Sequence, residues 1–128
     1  MVAADILGGG PEKIIFKPAE FIELAPGLRV PLDDESCFNI SYAGKWKETF
    51  QHYSYLDIIY SYIQITAGEK PWIDLDRLKG KICIIGLTAQ ATHDTSPIPI
   101  QRAYPMVGYH ANILNDILLK DFIYRVGR

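Results

Sequence analysis

Cysteine is scarce in this chain: Cys37 and Cys83 are the only two among 128 residues. There is no CxxC pair and no Cys/His spacing suited to zinc, so a metal-stapled scaffold is excluded. Each cysteine lies in an apolar, strand-like run, and the expectation is two small buried hydrophobes rather than a disulfide. Long apolar runs are lacking too. None reaches the ~18 residues of a membrane span, and Met-Val-Ala-Ala-Asp at the N-terminus has neither the charged nor the apolar region of a signal peptide. The chain reads as soluble, either whole or as a piece of something longer. Positive charge is not concentrated anywhere, and the net charge of −2 disfavours a nucleic-acid partner. Repeats and low-complexity segments are absent.

What remains is globular composition, 48% apolar and 22% charged, which excludes a disordered chain. Val2 to Leu7 reads as the tail of a short helix, stopped by Gly8-Gly9-Gly10-Pro11. Strand-length runs follow at Lys13–Lys17, Glu20–Leu24 and Leu28–Val30, with turns at Pro18-Ala19 and Pro26-Gly27. Asp33-Asp34-Glu35 lacks the spacing and glycine of an EF-hand and reads as a solvated turn. It leads into an alternating strand, Phe38 to Tyr42. Ser54 is placed to cap a helix over about 54–67, whose apolar residues at 55, 56, 58, 59, 62 and 63 form a broad stripe and whose stop is Gly68. Lys81 to Gly86 is apolar without alternation, the pattern of a strand buried on both faces. A long loop with Pro97, Pro99 and Pro105 occupies 87–108. The last helix, about 108–120, turns Val107, Ala111, Leu114 and Leu118 to one side and Asn112, Asn115 and Asp116 elsewhere. The expected fold is α/β: a mixed sheet around a buried central strand at about 81–86, packing helices at about 54–67 and 108–120, and an N-terminal β-hairpin extension.

Several residues invite chemistry. A Cys83–His110–Asp94 hydrolase is opposed by the mid-strand position of Cys83, where a thiol is inert. A metal site or hydrolase using His93, Asp94 and His110 has no supporting ligand spacing. A third possibility is a small anion or metabolite at the carboxyl end of strand 81–86, near Thr88 and the helix N-terminus. No glycine pattern for a nucleotide accompanies it, so no cofactor is expected. Against all three stands a scaffold role in which Asp94, His110 and Asn112 tie the loop to the helix start. The scaffold and pocket readings stay open side by side.

The segment LKGKICIIGLTAQATHDTSPIPIQRAYPMVGYHANILNDIL, 78 to 118, resembles the signature of the type-two CHASE domain, with Gly80-Lys81, Ile85-Gly86, Thr88-Ala89, Asp94, Pro97, Pro99 and Gly108-Tyr109-His110-Ala111-Asn112 at the matching positions. Upstream, VPLDDESCFNISYAG is similar to the family's hairpin at Pro31, Leu32, Asp33, Ile40, Tyr42 and Gly44. TFQHYSYLDII is similar to its helix start at Thr49, Phe50, Ser54, Asp57 and Ile58. Two departures are the Met-Val between Pro105 and Gly108, and Glu35-Ser36 where the family has a glycine. The resemblance implies a single domain that is the C-terminal portion of an extracytoplasmic sensor cut from a longer, membrane-anchored cyclase, histidine kinase or Ser/Thr kinase. On that basis the chain is not an enzyme. Its partners are a small-molecule or ionic stimulus and the missing N-terminal half of the domain, a second copy, or both. The expected ligand contacts are Thr88, Asp94, His110 and Asn112; Gly86, Pro97, Pro99 and Gly108 shape the backbone.

Overall fold

The structure, a computed structural model, describes residues 6–8, 10–88 and 94–124. The helix expected over Val2–Leu7 and the residue His93 fall largely or wholly outside them. The chain divides into two compact units: one joins the stretch up to Ala43 with the stretch from Gly108, and the other is Gly44–Val107.

In the first unit, β1 (Ile15–Lys17), β2 (Phe21–Ala25) and β3 (Leu28–Pro31) form an antiparallel meander. Pro26-Gly27 makes the tight turn, with Gly27 at φ +78°, a conformation that glycine adopts without steric cost. Leu24, Leu28 and Val30 are buried with Ile117 of the C-terminal helix, and Phe38 and Phe122 pack at the margin, rings 6.2 Å apart edge to face. On the outer face Glu23 sits opposite Arg29. The Arg29 guanidinium donates to Glu23 at 2.7 Å, which favours the ionised carboxylate and holds its pKa below the ordinary value. The pair is too exposed on the arginine side to contribute much stability. Asp33 Oδ1 accepts from the amides of Glu35 and Cys37, so the acidic trio is the turn its sequence suggests.

In the second unit, α1 (Tyr55–Thr66) begins where Ser54 accepts from the amide of Asp57 and ends before Gly68 at φ +75°. Two of its polar side chains hold the chain that follows. Ser61, fully buried, accepts from the amide of Ile73 at 2.9 Å, and Gln64 accepts from that of Trp72 at 3.1 Å. The region read as a loop contains a β-hairpin, β4 (Thr95–Ile98) and β5 (Gln101–Pro105). Its prolines masked it, since proline cannot donate to a ladder; Pro97, Pro99 and Pro105 fall in a two-stranded hairpin, its turn and its end, where that loss is tolerated. Tyr104 is its fully buried centre, and Trp46 meets it edge to face at 5.9 Å. Gly44, which starts this unit, has φ +154°, and a Cβ there would lie 2.8 Å from Thr49 Cγ2. Gly44→Ala is therefore expected to cost about 2 kcal/mol, read as a lower urea midpoint with an unchanged slope.

The α/β class and both helices match expectation, with α2 spanning Met106–Leu119. The sheet does not. Residues 81–88 have no strand pairing among the described residues, and all are exposed, Ile85 at 76%. Among the described residues the sheets are two separate antiparallel ones, and none is a mixed sheet around a buried strand. The physical reason is that a run apolar on both faces becomes a central strand only when strands pair along both its edges. For the same reason the apolar stripe of α1 is turned outward: Tyr55, Leu56, Tyr62 and Ile63 are all more than half exposed. Both cysteines, expected inside, are free and exposed. Nor is Phe38–Tyr42 a strand, for reasons that lie in α2.

Candidate functional site

Helix α2 follows β5 directly, and the Met106 amide donates to the Asp94 carbonyl at 3.0 Å, so the main chain of Asp94 fixes the helix entry. One turn in, Asn112 is fully buried. Its Nδ2 donates to the Gly108 carbonyl at 2.7 Å, and its Oδ1 accepts from the Ala43 amide at 3.0 Å. Four residues on, Asp116 is also fully buried, and its Oδ2 accepts from the Ser41 amide at 2.8 Å.

Geometry explains the fit. Side chains four apart on a helix are separated by about 6 Å along its axis. Amides two apart on an extended chain point the same way and are separated by about 6.6 Å. Asn112 and Asp116 therefore stand in for the edge of a neighbouring strand, receiving the two amides that a ladder would have used. Segment 38–42 is not a strand, and the amides of Ser41 and Ala43 pair with side chains rather than backbone. Its remaining face packs: Tyr42 meets Tyr109 edge to face at 5.7 Å.

The end of α2 completes the arrangement. Lys120 takes a left-handed conformation, φ 56°, and the Asp121 amide donates to the Asp116 carbonyl at 3.0 Å, a Schellman closure. That turn brings Asp121 back to Ser41, whose hydroxyl donates to Asp121 Oδ2 at 3.4 Å. Ser41 thus lies between two carboxylates. Burial pushes Asp116 up to about 6; the Ser41 amide opposes the rise and the charge of Asp121 adds to it. Asp116 Oδ1 is buried with no hydrogen-bond partner.

Of the residues singled out from the sequence, Asn112 and Gly108 meet in this arrangement. His110 is exposed on the same helix, and among the described residues the helix start is held by Asn112 and by the main chain of Asp94. Thr88 and Asp94 belong to the other unit, Thr88 exposed and Asp94 half-buried. Gly86 is needed for space, since a Cβ there would overlap the Cβ and Cγ atoms of Val107. Pro97 and Pro99 shape the β4–β5 hairpin. Asp116 and Ser41 were not foreseen. The sequence pattern puts Asn112 and Asp116 off the apolar side of α2, yet their four-residue spacing, which places both on one face, is the sign that they act together. Among the described residues, no group of three or more His, Cys, Asp or Glu side chains converges as a metal site would need. A shallow cleft of about 220 Å³, lined by Glu20, Asp33, Asp34 and Tyr124 among others, lies on the first unit.

A family model described as the CHASE2 domain matches residues 2–128. No curated protein and no solved structure matches the chain.

Proposed function

The chain belongs to the CHASE2 family of extracytoplasmic sensory domains, and from that premise we propose that it is the stimulus-responsive, non-catalytic module of a membrane-anchored receptor with a cyclase or kinase output. The observation that carries this reading is a family match that runs the length of the chain, residues 2–128. A sensor must have two arrangements that differ in affinity for the stimulus, because a ligand shifts an equilibrium only by that difference. The stimulus is a small molecule or an ion. Thr88, Asp94, His110 and Asn112 are the residues proposed to contact it; within the first unit His110 is the better placed, being exposed, while Asn112 is already engaged by the fold.

The receptor also supplies cover for this chain. Leu56, Tyr62, Ile85 and Leu87 of the second unit are each more than 60% exposed, and clustered exposed apolar side chains mark surfaces that partners cover. Further polypeptide, the N-terminal half of the domain or a second copy, fits this surface as a partner.

Two measurements test the reading. In intact cells expressing the parent protein, a membrane-impermeant maleimide is expected to label Cys37, which is exposed, without lysis of the inner membrane. The parent polypeptide is expected to continue beyond Arg128 into apolar spans and an output domain. Labelling only after lysis, or a parent chain without spans, would sink the proposal.

A further inference from the structure

Asn112 does something more specific than anchor a loop. Two of its hydrogen bonds fall on Ala43, the last residue before the chain leaves the first unit, and on Gly108, the first residue after it returns. Asp116 holds the same departing segment one step earlier, at Ser41. Both points of passage are therefore fixed by one face of α2, and the ionisable group that face puts into the contact is a fully buried carboxylate with an orphan oxygen.

We propose that Asp116 is a proton-operated latch: protonated, it holds Ser41–Ala43 against α2, and ionised, it lets that segment go. A buried anion with one oxygen unbonded is the less stable form at this position, because nothing replaces the water it has lost. The neighbours reinforce this. Asp121, reached through the Ser41 hydroxyl, is a second negative charge. The hairpin packed on the same helix contributes Leu24, Leu28 and Val30, none of which titrates or carries charge. Segment 38–43 contributes no charged residue, and its Tyr42 ring is turned to Tyr109. No cation answers Asp116 from any of these elements.

The direction follows from the carboxyl's proton affinity, which is higher in the fold (about 6) than in an ordinary carboxyl (3.8). The folded latch binds a proton that the open chain does not hold in that window. It therefore tightens as pH falls from about 6 toward 4 and loosens as pH rises through 6. This latch stands independently of the sensory proposal, and in an extracytoplasmic domain it makes ambient pH an input to the fold.

Hydrogen exchange of the Ser41 and Ala43 amides, corrected for intrinsic rate, tests it on the 128-residue chain. Protection at Ser41 is expected to rise at least about tenfold between pH 7.5 and pH 5, since a shift of two pKa units corresponds to about a hundredfold difference in proton affinity. Asp116→Asn keeps the shape and an acceptor for the Ser41 amide, and its protection is expected to be flat across that range. Flat protection in the unaltered chain, or the same rise in Asp116→Asn, would overturn the latch. Should the variant fail to fold, the ¹³C carboxyl titration of Asp116 in the unaltered chain decides alone. A midpoint near 6 supports the latch, and one in the ordinary carboxylate range removes it.

Discussion

Asn112→Ala is expected to destabilise the chain by about 2–4 kcal/mol and to lower its melting temperature by roughly 10 °C. The substitution removes the hydrogen bonds that a fully buried side chain makes to Ala43 and Gly108. The buried Gly108 carbonyl can still bond within the helix. The Ala43 amide loses its side-chain acceptor. A cavity the size of the carboxamide adds to the loss. The effect is expected to be local before it is global: exchange at Ala43 and Ser41 should accelerate below the unfolding midpoint. Asn112→Asp separates shape from donation. It keeps an acceptor for Ala43, loses the donor to Gly108, and places a second carboxylate one turn from Asp116, so its penalty should grow with pH. A melting temperature within 2 °C of the unaltered chain for Asn112→Ala would show that the buried hydrogen bonds contribute little.

Gly86→Ala is expected to cost about 1–3 kcal/mol, the range for overpacking at a filled position. Gly86 does not need glycine for its backbone angles. It needs glycine because an added Cβ would overlap Val107 at its Cβ, an atom fixed to the helix backbone rather than the free end of a side chain. Val107 is buried near the start of α2, so relief requires movement of either the helix start or segment 81–88. The partner atom gives a decisive control. In a double-mutant cycle with Val107→Gly, which removes the Cβ, the two substitutions together should cost at least about 1 kcal/mol less than their sum. Additivity would place the strain elsewhere.

The local elements of this fold were legible because their signals are local. The α1 cap needs only Ser54 and Asp57, and the β2–β3 turn needs only Pro26-Gly27. The run at 81–86 shows where such reading stops. Continuous apolarity states what a segment would need in order to be stable as a strand, burial on both faces; it does not say whether neighbouring strands are there. In this chain Ile82, Ile84 and Ile85 remain exposed. The β4–β5 hairpin failed in the opposite direction, because proline count outweighed its strand pattern. At the candidate site, the helix-start motif points to Asn112 and Gly108, which are buried, and to His110, which is exposed beside them. Asp116 was missed because its partner, Ser41, is 75 residues away, and no window of sequence spans that distance.

That separation has a further consequence, for the order in which the protein can assemble. The two hydrogen bonds of the Asn112–Asp116 face to the extended segment close loops of 69 and 75 residues, and such long closures must be made before their contacts return any stability. During synthesis β1–β3 emerge early, yet Leu24, Leu28 and Val30 have no helix to cover them until Ile117 has been made. The stretch Gly44–Val107, which is continuous in sequence, has its own Tyr104 centre and can form meanwhile. The nascent chain therefore holds an open apolar hairpin through the translation of an entire intervening unit. That interval, rather than any property of the finished fold, is when its exposed strands are most open to mispairing.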